Sequence, residues 1–161
     1  MEQPLVYLDS MVFIYAVEGD DSTAPAAREL MAALRQQSGA ALTSELSLAE
    51  VLAPATRNSH VSVQDQDKPL PFQLRQELYL DLMTTGSFLT LAPITREILL
   101  ETAELRRSKP HKLPDAIHVV TAIRTGCRFL VSADRRIHAP HPITKLIPDN
   151  DGVAQLLRAL G

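Results

Sequence analysis

The chain has 161 residues, 45% hydrophobic and 22% charged, with a net charge of −3 and a single cysteine, Cys127. That balance predicts one globular domain over residues 1–161 and excludes a disordered chain, a collagen or a long coiled coil. A lone cysteine also excludes a disulfide framework and a CxxC zinc site, and Cys127 reads as a buried structural thiol.

Residues 5–17 are apolar but carry Asp9 and lack a positively charged leader, and nothing approaches the roughly 18 apolar residues of a membrane span. The expectation is a protein of the reducing cytoplasm, with no membrane partner.

In chain order, residues 6–9 predict a short strand buried on both faces and ending on a carboxylate. Ser10 is placed to cap a helix to about residue 17, broken by Glu18-Gly19-Asp20-Asp21. A second helix starts near Ser22 with Pro25 in its first turn, shows Leu30, Ala33 and Leu34 as an apolar stripe, and stops at Gly39. Residues 40–43 predict a second strand. Thr43 or Ser44 would cap a helix over 45–53, with Leu48, Val51 and Leu52 turned to the core. Residues 57–71, polar and with two prolines, predict a surface loop. Helical periodicity returns over 74–83 and ends at Gly86; residues 88–91 predict a third strand. A helix over 95–107 offers Ile98, Leu99, Ala103 and Leu105 for packing. After the basic turn over 107–112, Pro114 opens a helix over 115–125, closed by Gly126. Residues 128–132 and 143–147 predict two more strands, and 151–160 a last helix. Short apolar strands alternating with helices predict an α/β fold, its parallel sheet of four to five strands covered on both faces.

Asp9 and Asp134 follow two of the apolar strands, while Glu50 and Asp115 lie on or beside helix starts. Parallel sheets open their crevice at the strands' carboxyl ends, and gathered carboxylates repel unless a divalent cation neutralises them. Each acid also has an ordinary reading. Asp9 can cap a helix, Asp115 suits a helix N-terminus, Glu50 can sit on a solvated face, and Asp134 fits a turn. Their combination is what points to a metal site. Glu18, Asp20 and Asp21 read as a solvated turn, and His118, three residues after Asp115, as a structural imidazole sharing its helix face. His111, His138 and His141 lack zinc-ligand spacing.

Charge is unevenly spread: nine Lys/Arg against two Asp/Glu over residues 106–145, but six against fifteen over residues 1–105. A basic surface for phosphates on an acidic body would give this pattern, as would ordinary solvated charge. Arg106, Arg107, Lys109, Lys112, Arg135 and Arg136 are the candidates for gripping a nucleic-acid backbone. Aromatic residues make up 4% and tryptophan is absent, which argues against a broad base-stacking platform.

Four segments occur in a telling order: Leu8-Asp9-Ser10, Ser44 followed by Glu50, Leu113-Pro114-Asp115-Ala116-Ile117-His118, and Leu130-Val131-Ser132-Ala133-Asp134. Together they resemble the PIN-domain ribonucleases, in particular the toxins of VapBC-type toxin–antitoxin pairs. The resemblance implies a three-layer α/β/α fold and an Mg²⁺- or Mn²⁺-dependent endoribonuclease, with RNA as substrate. It implies that Asp9, Glu50, Asp115 and Asp134 form the metal-binding acidic pocket and that the Ser132 hydroxyl supports it. It further implies a homodimer and a small antitoxin partner. Met11 departs from the small polar residue, often Asn, found there in relatives. Two alternatives keep the same fold: a PIN-type RNA-processing nuclease without a toxin role, and a catalytically silent binding module. A phosphatase using an Asp nucleophile would want a second Asp at position 11, and no Gly-x-Ser-x-Gly, Walker A or dinucleotide-binding glycine pattern is present.

Overall fold

The computed structural model describes residues 5–53 and 70–161. They form β1 (Val6–Leu8), α1 (Ser10–Glu18), α2 (Ala24–Leu34), β2 (Ala41–Ser44), α3 (Leu46–Leu52) and α4 (Phe72–Thr84). The chain continues with β3 (Leu89–Ala92), α5 (Arg96–Ser108), α6 (Leu113–Arg124), β4 (Phe129–Val131), β5 (Thr144–Leu146) and α7 (Asn150–Leu160). Of the predicted loop over 57–71, residues 57–69 lie outside the described residues, and Leu70 and Pro71 lead into α4.

All five strands are parallel, in the order β3-β2-β1-β4-β5. Val6 and Leu8 of β1, with Phe129 and Val131 of β4, point into a core built with α1, α2 and α7. Tyr7 and Leu130 point the other way, onto Val119 and Ala122 of α6. The period-two alternation of strands therefore feeds two apolar layers, and strands covered on both faces read as unbroken apolar runs. Helices α1, α2, α3, α4 and α7 pack among themselves on one side, and α5 packs on α6 on the other. This is the three-layer α/β/α arrangement.

The chain leaves β1 for β2 and β3, then crosses back to place β4 and β5 on the opposite side. The order therefore reverses between β1 and β4, where a doubly wound sheet opens a crevice at its carboxyl edge.

Several local expectations shift. Asp9, not Ser10, is the N-cap of α1, its Oδ1 accepting the Met11 N–H at 3.1 Å. On α2, Ala26, Ala27 and Met31 join Leu30 and Leu34 in the core, while Ala33 is only half-buried. Helix α5 buries Ile98 and Thr102, leaving Ala103 exposed and Leu99 47% exposed. It lies chiefly against α6 rather than the sheet, so only one side is covered. Cys127 is free and buried, as expected, and burial pushes its thiol pKa up. Among the described residues no helix is long and apolar enough to cross a membrane.

Candidate active site

Pairing of Leu8 with Val131 sets the ends of β1 and β4 side by side, and the Asp9 N–H donates to the Val131 carbonyl at 3.0 Å. The next residue on β4's side is Ser132, fully buried. Its hydroxyl donates to Asp9 Oδ2 at 2.5 Å, and its oxygen accepts the Asp134 N–H at 3.2 Å. One side chain thus ties the first acid to the turn that bears the last.

Asp9 is 5% exposed, and its Oδ1 takes the Met11 N–H and the Ser10 hydroxyl, each at 3.1 Å. The helix-capping reading of Asp9 holds: Oδ1 caps α1, while Oδ2 meets Ser132. All three donors are neutral. A buried carboxylate served only by neutral donors, with other acids nearby, is short of positive charge.

Asp115 sits in the first turn of α6, where the helix dipole favours an acid. Its carboxyl is nevertheless held above the ordinary aspartate range, first by burial and then by the charges of Asp134 and Asp9, with His118 and Lys112 pulling the other way. The three aspartates share one electrostatic neighbourhood, although they come from β1, α6 and the turn after β4.

Asp134 differs from its neighbours in having a cationic partner. Arg136 forks onto it, Nε to Oδ1 at 3.0 Å and Nη2 to Oδ2 at 2.8 Å, and adds its main-chain N–H at 2.9 Å. The hydrogen bonding to Arg136 outweighs burial and brings the carboxyl down to about 2. Lys145 reaches the same turn from β5, its Nζ donating to the carbonyls of Asp134 at 2.5 Å and Ile137 at 2.8 Å. Burial lowers the Lys145 pKa, against the charges of Asp134 and Asp9. The sequence reading passed over Lys145; its signal was an ammonium two residues after Ile143 and directly before Leu146, both buried, since burial obliges a charge to find partners.

Glu50 reaches the group through His118. Its Oε2 lies 2.8 Å from His118 Nε2, and His118 Nδ1 lies 2.7 Å from the Tyr7 hydroxyl. Burial lowers the His118 pKa, but the Glu50 hydrogen bond and the charges of Asp9, Glu50 and Asp115 outweigh it and leave it raised. The imidazole therefore feels acids from three elements. It is buried, as a structural histidine should be, and it also holds one of the four predicted acids.

The six predicted basic residues are all exposed. Arg106, Arg107 and Lys112, with Ala103, Pro110 and His111, line an open cleft of about 650 Å³. Lys112 lies close enough to Asp115 to lower its pKa, which links the cleft to the acids. Arg136 is committed to Asp134, and Arg107 donates to Glu104 at 2.8 Å. Of the other acids, Glu18 accepts from Arg75 at 3.4 Å and from the Tyr79 hydroxyl, fastening α1 to α4. Asp20 binds the N–H groups of Ser22 and Thr23 in a turn.

The donor chemistry is of the kind a hard divalent cation takes: carboxylate oxygens, few in number, as Mg²⁺ prefers. Among the described residues no three His, Cys, Asp or Glu side chains close on a common point. Like charges do not draw together unaided, and Glu50 and Asp134 have taken His118 and Arg136 as partners instead.

The sequence matches the PIN domain family model over residues 6–140. The chain belongs to the PIN-domain family. Two solved structures share the PIN fold with it. A toxin–antitoxin complex from Klebsiella pneumoniae superposes with a TM-score of 0.60 at 20% identity, over 89% of this chain and 97% of that one. VapC20 of Mycobacterium tuberculosis, a toxin that cleaves the sarcin–ricin loop, superposes with a TM-score of 0.57 at 12% identity, over 78% of this chain and 86% of that one. No curated protein sequence matches. At such identities the likeness is one of fold.

Proposed function

We propose that this PIN domain is a divalent-metal-dependent endoribonuclease, the toxin of a toxin–antitoxin pair, acting in the cytoplasm as a homodimer restrained by a small antitoxin protein. The observation that supports the reading is the electrostatic coupling of Asp115 to Asp134 and Asp9 near the strand switch point, where Asp115 is held protonated longer by burial and then by those two charges, and where the donors to Asp9 among the described residues are neutral. The fold shared with two toxin structures supports the toxin role.

Asp9, Asp115 and Asp134 would hold Mg²⁺ or Mn²⁺, with Glu50 completing the set. When bound, such an ion supplies Lewis-acid polarisation of the scissile phosphate and makes water acidic enough to attack it. The chain's own residues do the positioning. Ser132 fixes Asp9 Oδ2 against the Asp134 turn, and Lys145 pins that turn from beneath. Arg106, Arg107, Lys109 and Lys112 would take backbone phosphates on the Asp115 side and Arg135 on the Asp134 side, where Arg136, forked onto Asp134, would reach a phosphate only on exchanging that partner. With so few aromatics, recognition rests on phosphates and RNA shape.

The deciding experiment incubates the protein with RNA and Mg²⁺ and maps the product ends. Water attack leaves 5′-phosphates and 3′-hydroxyls, and Asp9→Asn should be inactive. Cyclic 2′,3′-phosphate ends, or an active Asp9→Asn protein, would refute the mechanism. Growth arrest on expression, relieved by the product of a small neighbouring gene, tests the toxin role. Cleavage without arrest would favour an RNA-processing nuclease.

A further inference from the structure

We propose that Tyr7 and His118 are positioning residues for Glu50, forming a buried hydrogen-bond relay that fixes where its carboxylate sits beside the aspartates. The kinetic part rests on the nuclease reading above; the structural part does not.

The direction of each link follows from donor counting. The Tyr7 hydroxyl oxygen accepts the Ser44 N–H at 3.1 Å, so its own proton is free for His118 Nδ1 at 2.7 Å. In the tautomer that leaves Nδ1 to accept, and equally in the imidazolium, Nε2 carries a hydrogen, which it donates to Glu50 Oε2 at 2.8 Å. The chain runs from the main chain of β2, through β1 and α6, to α3. Tyr7 and His118 are buried, and the Glu50 side chain is 25% exposed, so the relay leads from the interior to a carboxylate that solvent can reach.

Packing alone does not account for these residue types. Phenylalanine at position 7 and leucine at position 118 would fill the layer and leave the Ser44 N–H as the polar group to satisfy from β2's side, and buried polar pairs are commonly matched in stability by apolar replacements. What the apolar pair would lose is the hold on Glu50. The relay resembles the partners that orient a metal site's carboxylates from behind, whose loss typically costs 10–100-fold in activity or affinity.

Two substitutions at His118 separate positioning from packing. A glutamine amide reaches the place of Nε2 and can still donate to Glu50; an asparagine amide reaches only the place of Nδ1. His118→Asn should lose roughly 10–100-fold in kcat with KM for RNA unchanged, while His118→Gln keeps most of the activity. In a Glu50→Ala background His118→Asn should cause no further loss. Independently of activity, ¹⁵N NMR of the wild-type ring should show hydrogen on Nε2, and Tyr7→Phe should release that preference without changing the core's volume. A wild-type ring with no hydrogen on Nε2, equal kcat for the two His118 variants, or full additivity with Glu50→Ala would overturn the proposal. If the wild-type protein cleaves no RNA, the nuclease reading fails, and the NMR result alone decides the relay.

Discussion

Replacing Asp9 separates its two duties. Asp9→Ala removes the N-cap of α1, a loss of about 1 kcal/mol, and leaves the buried Ser132 hydroxyl without its acceptor, a further 1–3 kcal/mol or so. Relief of the repulsion with Asp115 and Asp134 offsets part of this. The expected net loss is about 1–3 kcal/mol, which in a domain of this length lowers Tm by roughly 2–10 °C. Asp9→Asn behaves differently. Asparagine caps helices as well as aspartate does, its amide can still meet a hydroxyl that both donates and accepts, and one charge leaves a crowded group. Its Tm should equal or exceed that of the wild type. Both variants should fail to cleave RNA. The assay is calorimetric melting in EDTA at neutral pH, run beside end-mapped cleavage. If Asp9→Ala melts no lower than Asp9→Asn, the cap and the Ser132 contact carry no stability and the accounting fails.

Asp115→Asn should stabilise the metal-free protein at neutral pH. An acid whose pKa is raised by folding costs stability once the pH passes its folded value, so the gain over wild type should shrink toward pH 4, measured by urea melts across pH. Mn²⁺ or Mg²⁺ should raise the wild-type Tm by mass action, about 2.7 kcal/mol of stability at 100 times Kd, and should leave Asp9→Asn unmoved. Arg106, Arg107 and Lys112 replaced together by alanine should raise KM for RNA and flatten its salt dependence while Tm holds, since all three are exposed. An unchanged salt slope would remove the cleft from the RNA path.

The element order was legible because β1 and β4 are covered on both faces, which leaves runs such as Val6-Tyr7-Leu8 with no polar residue facing water. Helix ends were legible where glycine adopts the left-handed region, at Gly39 and Gly126, both at φ 70°. What misled was context. Leu99 and Ala103 carry a helical apolar period, but α5 lies chiefly against α6, and no sequence pattern reports how wide a neighbour will be. In the candidate site, the acids announced themselves through their places after strands and at a helix start. Lys145 and the Tyr7–His118–Glu50 relay did not, because their partners lie 8 to 111 residues away and are chosen by sheet register. A tyrosine inside a buried strand was the available hint, since its hydroxyl must find a partner.

Positions 9, 50, 115 and 134 come from four separate stretches of chain, and the last of them arrives only when β4 docks beside β1, more than 120 residues after β1 begins. Asp9 and Asp134 therefore become neighbours through sheet register and not through any local segment, so whatever loosens the seam between β1 and β4 parts them.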